Sequence, residues 1–532
     1  MVSQCSACGA FVVSNPHEFD LNNITPRILA RISQLLTTNE PPQEPELTVL
    51  QPIAQKTDAR LACLDAEISR LKDQLSQLEE ERAALAEYHA QNTTILSPLR
   101  RMPPEILGKI FSWTLPQMMR ALDIRDPPWV LTHVSRRWRA IAASKSSLWS
   151  KIYIVFSTAT KYSSAMVRAQ IERAHTLKII FRGSSRRDSR PQVNMLQLLL
   201  ERSSMWQELR LGSIAALVPL LTEYSERLPL LRRAWVQWDG PESQTGVESV
   251  DFFRMGPSLV DISVFSEYRF IPTLLPVYHQ LTRYDFDAPW TTHSELLKAL
   301  PNLNEVRVVR KFDRGIPWPV PGQPINLIHL QCMYVSHGQC LDYLRAPALE
   351  RIAIKCRKGD EIRPHLDPFV ARSSCVLHRL CLSGLPDAQR TDEILEHCPS
   401  ITELALRIGD SKTKDKATER DLLAAFVTRF VMLDSINTIC PRISKLDFAC
   451  EHADVISYPL YLDMLDAWWN APNCALKATE LLLPQGLVDP DPESLARMGT
   501  LRQAGLQVSF LSGDVAYERA RQWLHVATWI FW

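Results

Sequence analysis

A six-residue apolar signature, repeated along residues 149–510, constrains the fold of this chain more than any other feature. Its order is apolar, two other residues, apolar, one other residue and apolar, as in LRRAWV at 231–236 and LERIAI at 349–354. Between Trp206 and Ile401 successive copies start 22 to 28 residues apart, and helical patterns separate them. Because a single strand-and-helix unit cannot bury its own apolar face, this period predicts stacked units that share one parallel sheet.

The copies of the signature set the extent of the predicted sheet and its irregularities. Intervals of 42 residues before Ile443 and 35 before Ala478 indicate insertions. The pattern Leu-x-x-Leu-x-Leu resembles the strands of leucine-rich repeats, although the Asn that usually follows them is missing at most of these positions. The resemblance implies an irregular α/β solenoid with a curved parallel sheet over residues 151–532. The copies start at Trp149, Ala174, Trp206, Leu231, Leu259, Leu281, Leu303, Leu327, Leu349, Leu377, Ile401, Ile443 and Ala478, and GLQVSF at 505–510 ends the series.

Charged residues occupy alternate positions of the predicted strands, between the apolar ones. Alternate side chains of a strand point to opposite faces, so we expect these charges to be exposed on the concave face of the sheet. They are mixed in sign and show no matching along the sequence. We predict that this face recognises a protein target through candidates that include Arg210, Asp261, Arg283, Arg307, Lys355, Arg379, Glu403 and Lys445.

The C-terminal stretch ERARQWLHVATWIFW, at 518–532, is rich in tryptophan and apolar residues. We interpret it as a helix that caps the open end of the solenoid, because the last unit of a stack needs a cover. Contact with a membrane is the alternative, which the lack of a strong basic run on its polar side does not favour.

The N-terminal part of the chain changes from a loose composition to a heptad pattern. Residues 1–52 contain several turn formers and the run PPQEPE, and they predict a flexible arm and linker. Residues 53–93 predict a long helix with one narrow apolar seam, which either pairs with a second copy of the chain through 54–92 or packs within one molecule. Arg82 interrupts the seam, whose apolar members are Leu61, Leu64, Ile68, Leu71, Leu75, Leu78 and Leu85.

Two short helical patterns follow within residues 96–150. Pro103 and Pro104 stop the preceding helix, and Pro104 suits the first turn of a new one, where its missing N–H does no harm. The first pattern carries an apolar stripe formed by Ile106, Leu107, Ile110, Phe111 and Trp113, and the second carries Leu131, Val134, Trp138 and Ile141. So small a helical unit has little interior of its own, which indicates that some of these side chains serve a neighbouring polypeptide.

These residues resemble the F-box. The family's Leu-Pro, paired aliphatic residues and Ile-Phe are matched by Met102 to Phe111, its Val-Cys-Lys-x-Trp-Arg by VSRRWR at 134–139, and its closing Leu-Trp by Leu148 and Trp149. The chain departs from the pattern at Met102, at Ser135 and in a longer insert at 116–128. The heptad helix that runs directly into SPLRRMPPEILGKIF is also similar to the layout of a large group of fungal F-box proteins.

The resemblance implies that residues 96–150 bind the small Skp adaptor, which is attached to a cullin scaffold. The positions that match the motif would form the adaptor interface or its immediate backing: Pro103, Ile106, Leu107, Ile110, Phe111, Val134, Trp138, Leu148 and Trp149. The alternative is that these side chains only build the core of the domain.

Composition excludes several other classes of function. With 60 Lys and Arg against 59 Asp and Glu, the net charge of +1 supplies no general attraction for nucleic acid or for an anionic membrane. No apolar run approaches the length of a membrane span, and the N-terminus lacks the basic start of a secretory signal, so we expect cytoplasm or nucleus. The twelve cysteines are scattered, which favours buried, reduced thiols.

The chain also lacks the motifs of common catalytic and cofactor sites. It contains no GxSxG, GxxxxGK[ST], GxGxxG or HExxH sequence, so we predict no enzyme, no cofactor and no catalytic residue. Cys5 and Cys8 have the spacing of a zinc pair, but neither a second pair nor His17 alone completes four ligands, and no metal site is predicted.

The expected function is therefore that of the substrate-recognition subunit of a Skp–cullin–F-box ubiquitin ligase. The alternative is a non-catalytic structural or assembly protein that dimerises through the heptad helix and uses the adaptor without promoting degradation.

Overall fold

The chain folds into two compact units, Met1–Met102 and Pro103–Trp532, as seen in a computed structural model. The structure describes residues 2–4, 11–13, 25–116, 123–156, 162–223, 228–238, 250–252, 256–265, 279–310, 317–409, 416–432, 439, 441–485 and 490–530.

The N-terminal unit contains more regular structure than its composition predicts. Strands β1 (Val2–Gln4) and β2 (Phe11–Val13) pair antiparallel, and three helices follow: α1 (Pro26–Thr38), α2 (Glu44–Leu96) and α3 (Pro98–Arg101). The prediction that residues 1–52 form only a flexible arm is therefore wrong for the part occupied by α1 and the start of α2.

Local capping explains the early start of α2. The side chain of Glu46 accepts a hydrogen bond from the backbone N–H of Gln43 at 2.9 Å, and together they form a capping box. Glu46 also forms an ion pair with Arg31 of α1, with an N–O distance of 2.7 Å. The helix then runs for 53 residues, through Pro52 and the whole heptad segment.

In the described part of the second unit, 14 strands form one sheet, which confirms the predicted α/β fold with a parallel sheet. Each strand pairs in parallel with the next one in the sheet, and the spatial order follows the chain. The strands are β3 (Lys151–Val155), β4 (Leu177–Arg182), β5 (Trp206–Ser213), β6 (Arg233–Trp238), β7 (Asp261–Phe265), β8 (Arg283–Asp287), β9 (Glu305–Val309), β11 (Cys332–Val335), β13 (Arg351–Cys356), β14 (Arg379–Gly384), β15 (Glu403–Ile408), β16 (Lys445–Cys450), β17 (Ala478–Leu483) and β18 (Gln507–Ser512).

A separate pair of short strands explains one difference between the predicted and observed strands. The signature that starts at Leu327 predicts a strand there, but β11 begins at Cys332. Residues 325–326 instead form β10 (Ile325–Asn326), which pairs with β12 (Leu344–Arg345). Since Leu327 and Leu330 are both buried beside this pair, the apolar pattern alone does not fix where the strand starts.

Helices connect the strands and cover one face of the sheet. In the unit around β13, for example, Ile352 and Ile354 of the strand and Leu366 and Phe369 of the following helix are almost fully buried. The described helices between strands are α7 (Ser164–Arg173), α8 (Ser189–Leu200), α9 (Val218–Glu223), α10 (Trp290–Ala299), α11 (Arg363–Ser373), α12 (Ala388–His397), α13 (Lys416–Val431), α14 (Tyr458–Trp469) and α15 (Pro492–Gln503). Helices α4 (Pro104–Trp113), α5 (Leu131–Val134) and α6 (Arg136–Ser144) precede the sheet, and α16 (Gly513–Gln522) follows its last strand.

The C-terminal segment, residues 513–530, lies on the other face of the sheet. It consists of α16 and a following stretch that ends in a short 3-10 helix, Thr528–Ile530. Its position differs from the predicted cap at the open end of the solenoid. Small side chains on both partners allow this close packing: Ala516 and Ala520 of the segment form one buried cluster with Ala353, Cys381, Ala405 and Ala449 of the strands.

Candidate functional site

Helix α4 divides its apolar residues between the interior and the surface. Pro104 occupies the first turn of the helix, as predicted. Leu107 and Phe111 are fully buried, whereas Ile106 is 50% exposed and Trp113 is 75% exposed. One side of the helix therefore completes a core, and the other presents large apolar groups to solvent.

Helices α5 and α6 support α4 through a tryptophan and a serine cap. The Ser135 hydroxyl accepts a hydrogen bond from the backbone N–H of Trp138 at 3.1 Å, which caps α6. Trp138 packs on Phe111 with 4.8 Å between ring centroids. Val134, at the end of α5, is 56% exposed. Ser135, one of the departures from the F-box pattern, thus has a structural role in starting the helix.

A close contact beside Gly108 brings α4 against the end of α6. A Cβ atom at position 108 would lie 3.1 Å from Cδ of Lys145 and 3.7 Å from Cγ2 of Ile141. A larger residue at this position would require the flexible Lys145 side chain to shift slightly.

Trp149 joins these helices to the first strand of the sheet. Its ring is completely buried, and its indole N–H donates to the carbonyl of Ala142 at 2.8 Å. The Trp149 carbonyl accepts from the side chain of Gln170, which also donates to the carbonyl of Lys151 at 2.7 Å. The guanidinium of Arg173 lies 4.8 Å from the centroid of the Trp149 ring. These contacts fix the helical unit to β3 and α7.

The predicted adaptor-binding residues fall into three groups. Pro103, Ile106 and Val134 are exposed, and Ile110 and Trp138 are half-buried. The four buried residues cannot contact a partner directly in this conformation, and they form the backing of the surface: Leu107, Phe111, Leu148 and Trp149.

The structure adds a surface tryptophan to this group. Trp113 lies seven residues after Ile106, which places both on the same side of α4. Its membership of the apolar stripe was evident from the sequence, but its exposure was not. We call the exposed and half-exposed residues Pro103, Ile106, Ile110, Trp113 and Val134 the α4–α5 apolar set.

The charged candidates of the sheet lie on the face opposite the connecting helices α7 to α15, and the parallel register aligns many of them. Asp261, Arg283 and Glu305 occupy equivalent positions on neighbouring strands. Arg283 forms ion pairs with Asp261 at 3.3 Å and with Glu305 at 3.1 Å. Although these charges show no matching along the sequence, the sheet brings opposite charges side by side from neighbouring strands.

The same pairing continues along the later strands. Arg379 forms ion pairs with Glu403 at 2.7 Å and with Asp447 at 3.3 Å. Lys445 lies 3.2 Å from Asp447 and 3.2 Å from Glu480. Five of the candidate side chains are partly buried: Arg210, Lys355, Arg379, Glu403 and Lys445.

The C-terminal segment covers three of the candidates. Arg283 donates to the carbonyl of His525, and Arg307 donates to the carbonyl of Leu524. The Trp529 indole N–H donates to the carboxylate of Asp261. Asp261, Arg283 and Arg307 are consequently buried, and the prediction that they are exposed is wrong.

His525 lies on this face in an environment that opposes its protonation. Burial, followed by the charges of nearby arginines, lowers the pKa of His525 to about 3, and these arginines are Arg307, Arg351, Arg379 and Arg283. The imidazole is therefore neutral at physiological pH, and it adds no charge to a face already rich in guanidinium groups.

Within the described ranges, no three His, Cys, Asp or Glu side chains lie together as a metal site, and Cys5, Cys8 and His17 fall outside those ranges. Seven of the cysteines in the described ranges are buried free thiols, and burial raises the pKa of Cys340 and Cys381 to about 12.

No helix in the described part of the chain has both the length and the apolar character required to cross a bilayer.

Comparison with known proteins identifies a domain in the first part of the second unit. A search of curated proteins finds no match to the chain. The family model described as F-box-like matches residues 99–155, a range that includes α4, α5, α6 and β3. The chain therefore contains an F-box-like domain, the kind of domain through which F-box proteins in general bind the Skp adaptor.

Proposed function

We propose that this chain is the substrate-recognition subunit of a Skp–cullin–F-box ubiquitin ligase, acting in the cytoplasm or nucleus. The F-box-like domain binds the Skp adaptor and, through it, a cullin. The 14-stranded sheet, which we take to be a leucine-rich-repeat-like solenoid, holds a protein target. The chain itself performs no bond chemistry.

The observation that carries the proposal is the exposure of the α4–α5 apolar set within an F-box-like domain. Ile106 and Trp113 together place a large aliphatic and a large aromatic group on the surface of one short helix. Apolar side chains of this kind dominate the affinity of protein interfaces when a partner covers them. The buried residues behind them hold the surface in shape.

The connection between the domain and the sheet suits a scaffolding role. Because Trp149 and Gln170 tie the helical unit to β3, a target on the sheet is held at a defined position relative to the adaptor. Such positioning raises the effective concentration of target lysines near a ubiquitin-conjugating enzyme. The rate enhancement comes from proximity.

Co-purification with the Skp adaptor and a cullin tests the proposal. We expect wild-type protein to capture both, and Ile106→Asp and Val134→Asp to reduce adaptor capture about tenfold or more, because each places a charge in an apolar interface.

Two matched controls distinguish lost binding from lost folding. Leu495 is 51% exposed and Val376 is 55% exposed, close to the values for Ile106 and Val134. Leu495→Asp and Val376→Asp make the same kind of change elsewhere on the second unit and should leave capture unchanged. Failure of the wild type to capture the adaptor, or equal loss in all four variants, would contradict the proposal.

A second candidate function is assembly through the heptad helix, as a dimer that uses the adaptor without promoting degradation. The favouring observation is that every apolar member of the seam from Leu61 to Leu85 is exposed in the single chain. In a parallel, in-register pair, Arg60 would face Asp65 of the other copy and Glu67 would face Lys72, so opposite charges flank the seam. The same dimer is also compatible with the ligase role.

A further inference from the structure

The face covered by the C-terminal segment has two adjoining pockets at its first strands, from β3 to β6. The larger, of about 310 Å³, is lined by side chains of β3 to β6 and by Trp529. The smaller, of about 90 Å³, lies beside it and is lined by residues that include Tyr153, Arg182 and Trp235. Ile180 and Arg210 line both, so the two are adjacent, and we call them together the β3–β6 pockets.

Positive charge predominates in these pockets. Among the described residues, one carboxylate, that of Glu208, lines the larger pocket together with four cationic side chains: Lys151, Lys178, Arg210 and Arg233. Glu208 already pairs with Lys178 at 3.0 Å and with Arg233 at 3.1 Å. The centre of the same face differs, since Arg283 has two carboxylate partners there. An excess of cations in a concave site is complementary to an anionic ligand.

The electrostatic strain among these cations is consistent with that assignment. Burial, then the charges of Arg210 and Lys178, lowers the pKa of Lys151 to about 8. Burial, then the charge of Arg521, lowers the pKa of Arg210 to about 10. A bound anion relieves both the repulsion and part of the desolvation.

The walls of the pockets select among anionic ligands. Trp529, Trp235, Tyr153 and Ile180 supply large apolar surfaces beside the cations. The Trp529 ring is held in place by its hydrogen bond to Asp261. Inorganic anions do not use such walls, and the net charge of +1 gives the chain no general attraction for a polyanion such as nucleic acid. A peptide that combines carboxylates with apolar side chains uses both features.

We propose that the β3–β6 pockets bind an acidic, extended segment of a partner protein, with a Glu or Asp carboxylate among Lys178, Arg210 and Arg233 and a neighbouring apolar side chain against Trp235. This inference rests on the target-binding part of the proposed function and gives the target a chemical class. The C-terminal segment takes part by covering the central strands and by contributing Trp529 to the site.

Fluorescence anisotropy of the full chain with a labelled short peptide of alternating Glu and Phe tests the proposal. The comparison peptide replaces every Glu by Gln. We expect the Glu peptide to bind, the Gln peptide to bind about tenfold or more weakly, and binding to weaken as salt is added, because the contacts are charge-assisted.

Variants that remove a positive or a negative charge from the pockets test the proposal further. Lys178→Glu and Arg233→Glu should raise the Kd for the Glu peptide about tenfold or more, whereas Glu208→Gln should lower it, because the competing carboxylate is lost. Lys298→Glu makes the same charge change at an exposed position of α10 and should have no effect. Thermal unfolding of each variant identifies any loss of binding that comes from misfolding.

Three results would overturn the proposal: equal binding of the two peptides, equal Kd values for Arg233→Glu and Lys298→Glu, or binding only to phosphatidylserine vesicles or duplex DNA. Adaptor capture by the same proteins is measured in parallel. Loss of capture by the wild type with peptide binding intact refutes the ligase role alone, and the reverse result refutes the peptide site alone.

Discussion

Two tryptophans of the F-box-like domain show how burial separates structural from interfacial residues. Trp149 is enclosed by Ala142, Gln170 and Arg173, and it connects the helices to the sheet. Trp113 projects from the end of α4 and is mostly exposed. The same residue type thus stabilises the fold at one position and, in our proposal, contacts the adaptor at the other.

Substitution by alanine should mainly lower the free energy of unfolding at Trp149 and mainly weaken adaptor capture at Trp113. Trp149→Ala should lower the free energy of unfolding by about 3–5 kcal/mol, because it leaves a cavity and removes a buried hydrogen bond. Trp113→Ala should change it by no more than about 0.5 kcal/mol yet weaken adaptor capture. Denaturant unfolding and co-purification measure the two effects. A large loss of stability in Trp113→Ala would show that this side chain is part of the core.

At the scale of secondary-structure elements, α16 and the sheet meet through unusually small side chains. Ala516 and Ala520 of the helix are fully buried in the cluster that includes Ala405 and Ala449. The ion pair of Arg519 with Glu480, at 2.6 Å, lies beside them. Because neither partner has room for a longer side chain, this contact depends on alanine at these positions.

Enlarging one of these alanines should loosen the C-terminal segment. Ala520→Leu is expected to cost about 1–3 kcal/mol through overpacking and to speed cleavage of the segment in limited proteolysis. Val515→Leu, at an exposed position of the same helix, is the control and should cost no more than about 0.5 kcal/mol. If both variants resist protease as the wild type does, the packing is less tight than the structure indicates.

At the scale of the whole molecule, the exposed heptad seam predicts self-association. We expect light scattering after gel filtration to give the wild type twice the chain mass of 60.7 kDa, and Leu75→Lys to give the mass of one chain, because a lysine in the seam opposes pairing. Gln77→Lys adds the same charge outside the seam and should remain dimeric. A wild type that elutes as a single chain would remove the dimer from consideration.

The repeated architecture could be predicted from the sequence because its signal recurs many times. Each copy of the signature indicates a strand buried on one side, and the helical patterns between copies indicate helices that connect the strands. The helical pattern RTDEILEHC at 390–398, for example, lies between two copies and corresponds to α12, Ala388–His397. The F-box-like segment was evident for a different reason, since its apolar positions have a characteristic order.

Features that depend on contacts across the sheet could not be predicted in the same way. The pairing of Arg379 with Glu403 and Asp447 joins residues on three strands, and no local pattern encodes it. The apolar pattern of 518–530 shows that the segment packs against another surface. It does not distinguish packing on the end of a stack from packing on the face of a sheet. The division of α4 into buried Leu107 and exposed Ile106 likewise depends on where its neighbours lie.

The position of residues 513–530 has a consequence for how the chain folds during its synthesis on the ribosome. Synthesis proceeds from the N-terminus, so β7, β8 and β9 emerge long before the carbonyl groups of Leu524 and His525 that Arg307 and Arg283 contact. A stack of repeats can otherwise mature one unit at a time as it leaves the exit tunnel. Here Arg283 and Arg307, in the middle of the nascent stack, gain these contacts only after residues more than two hundred positions downstream have been synthesised.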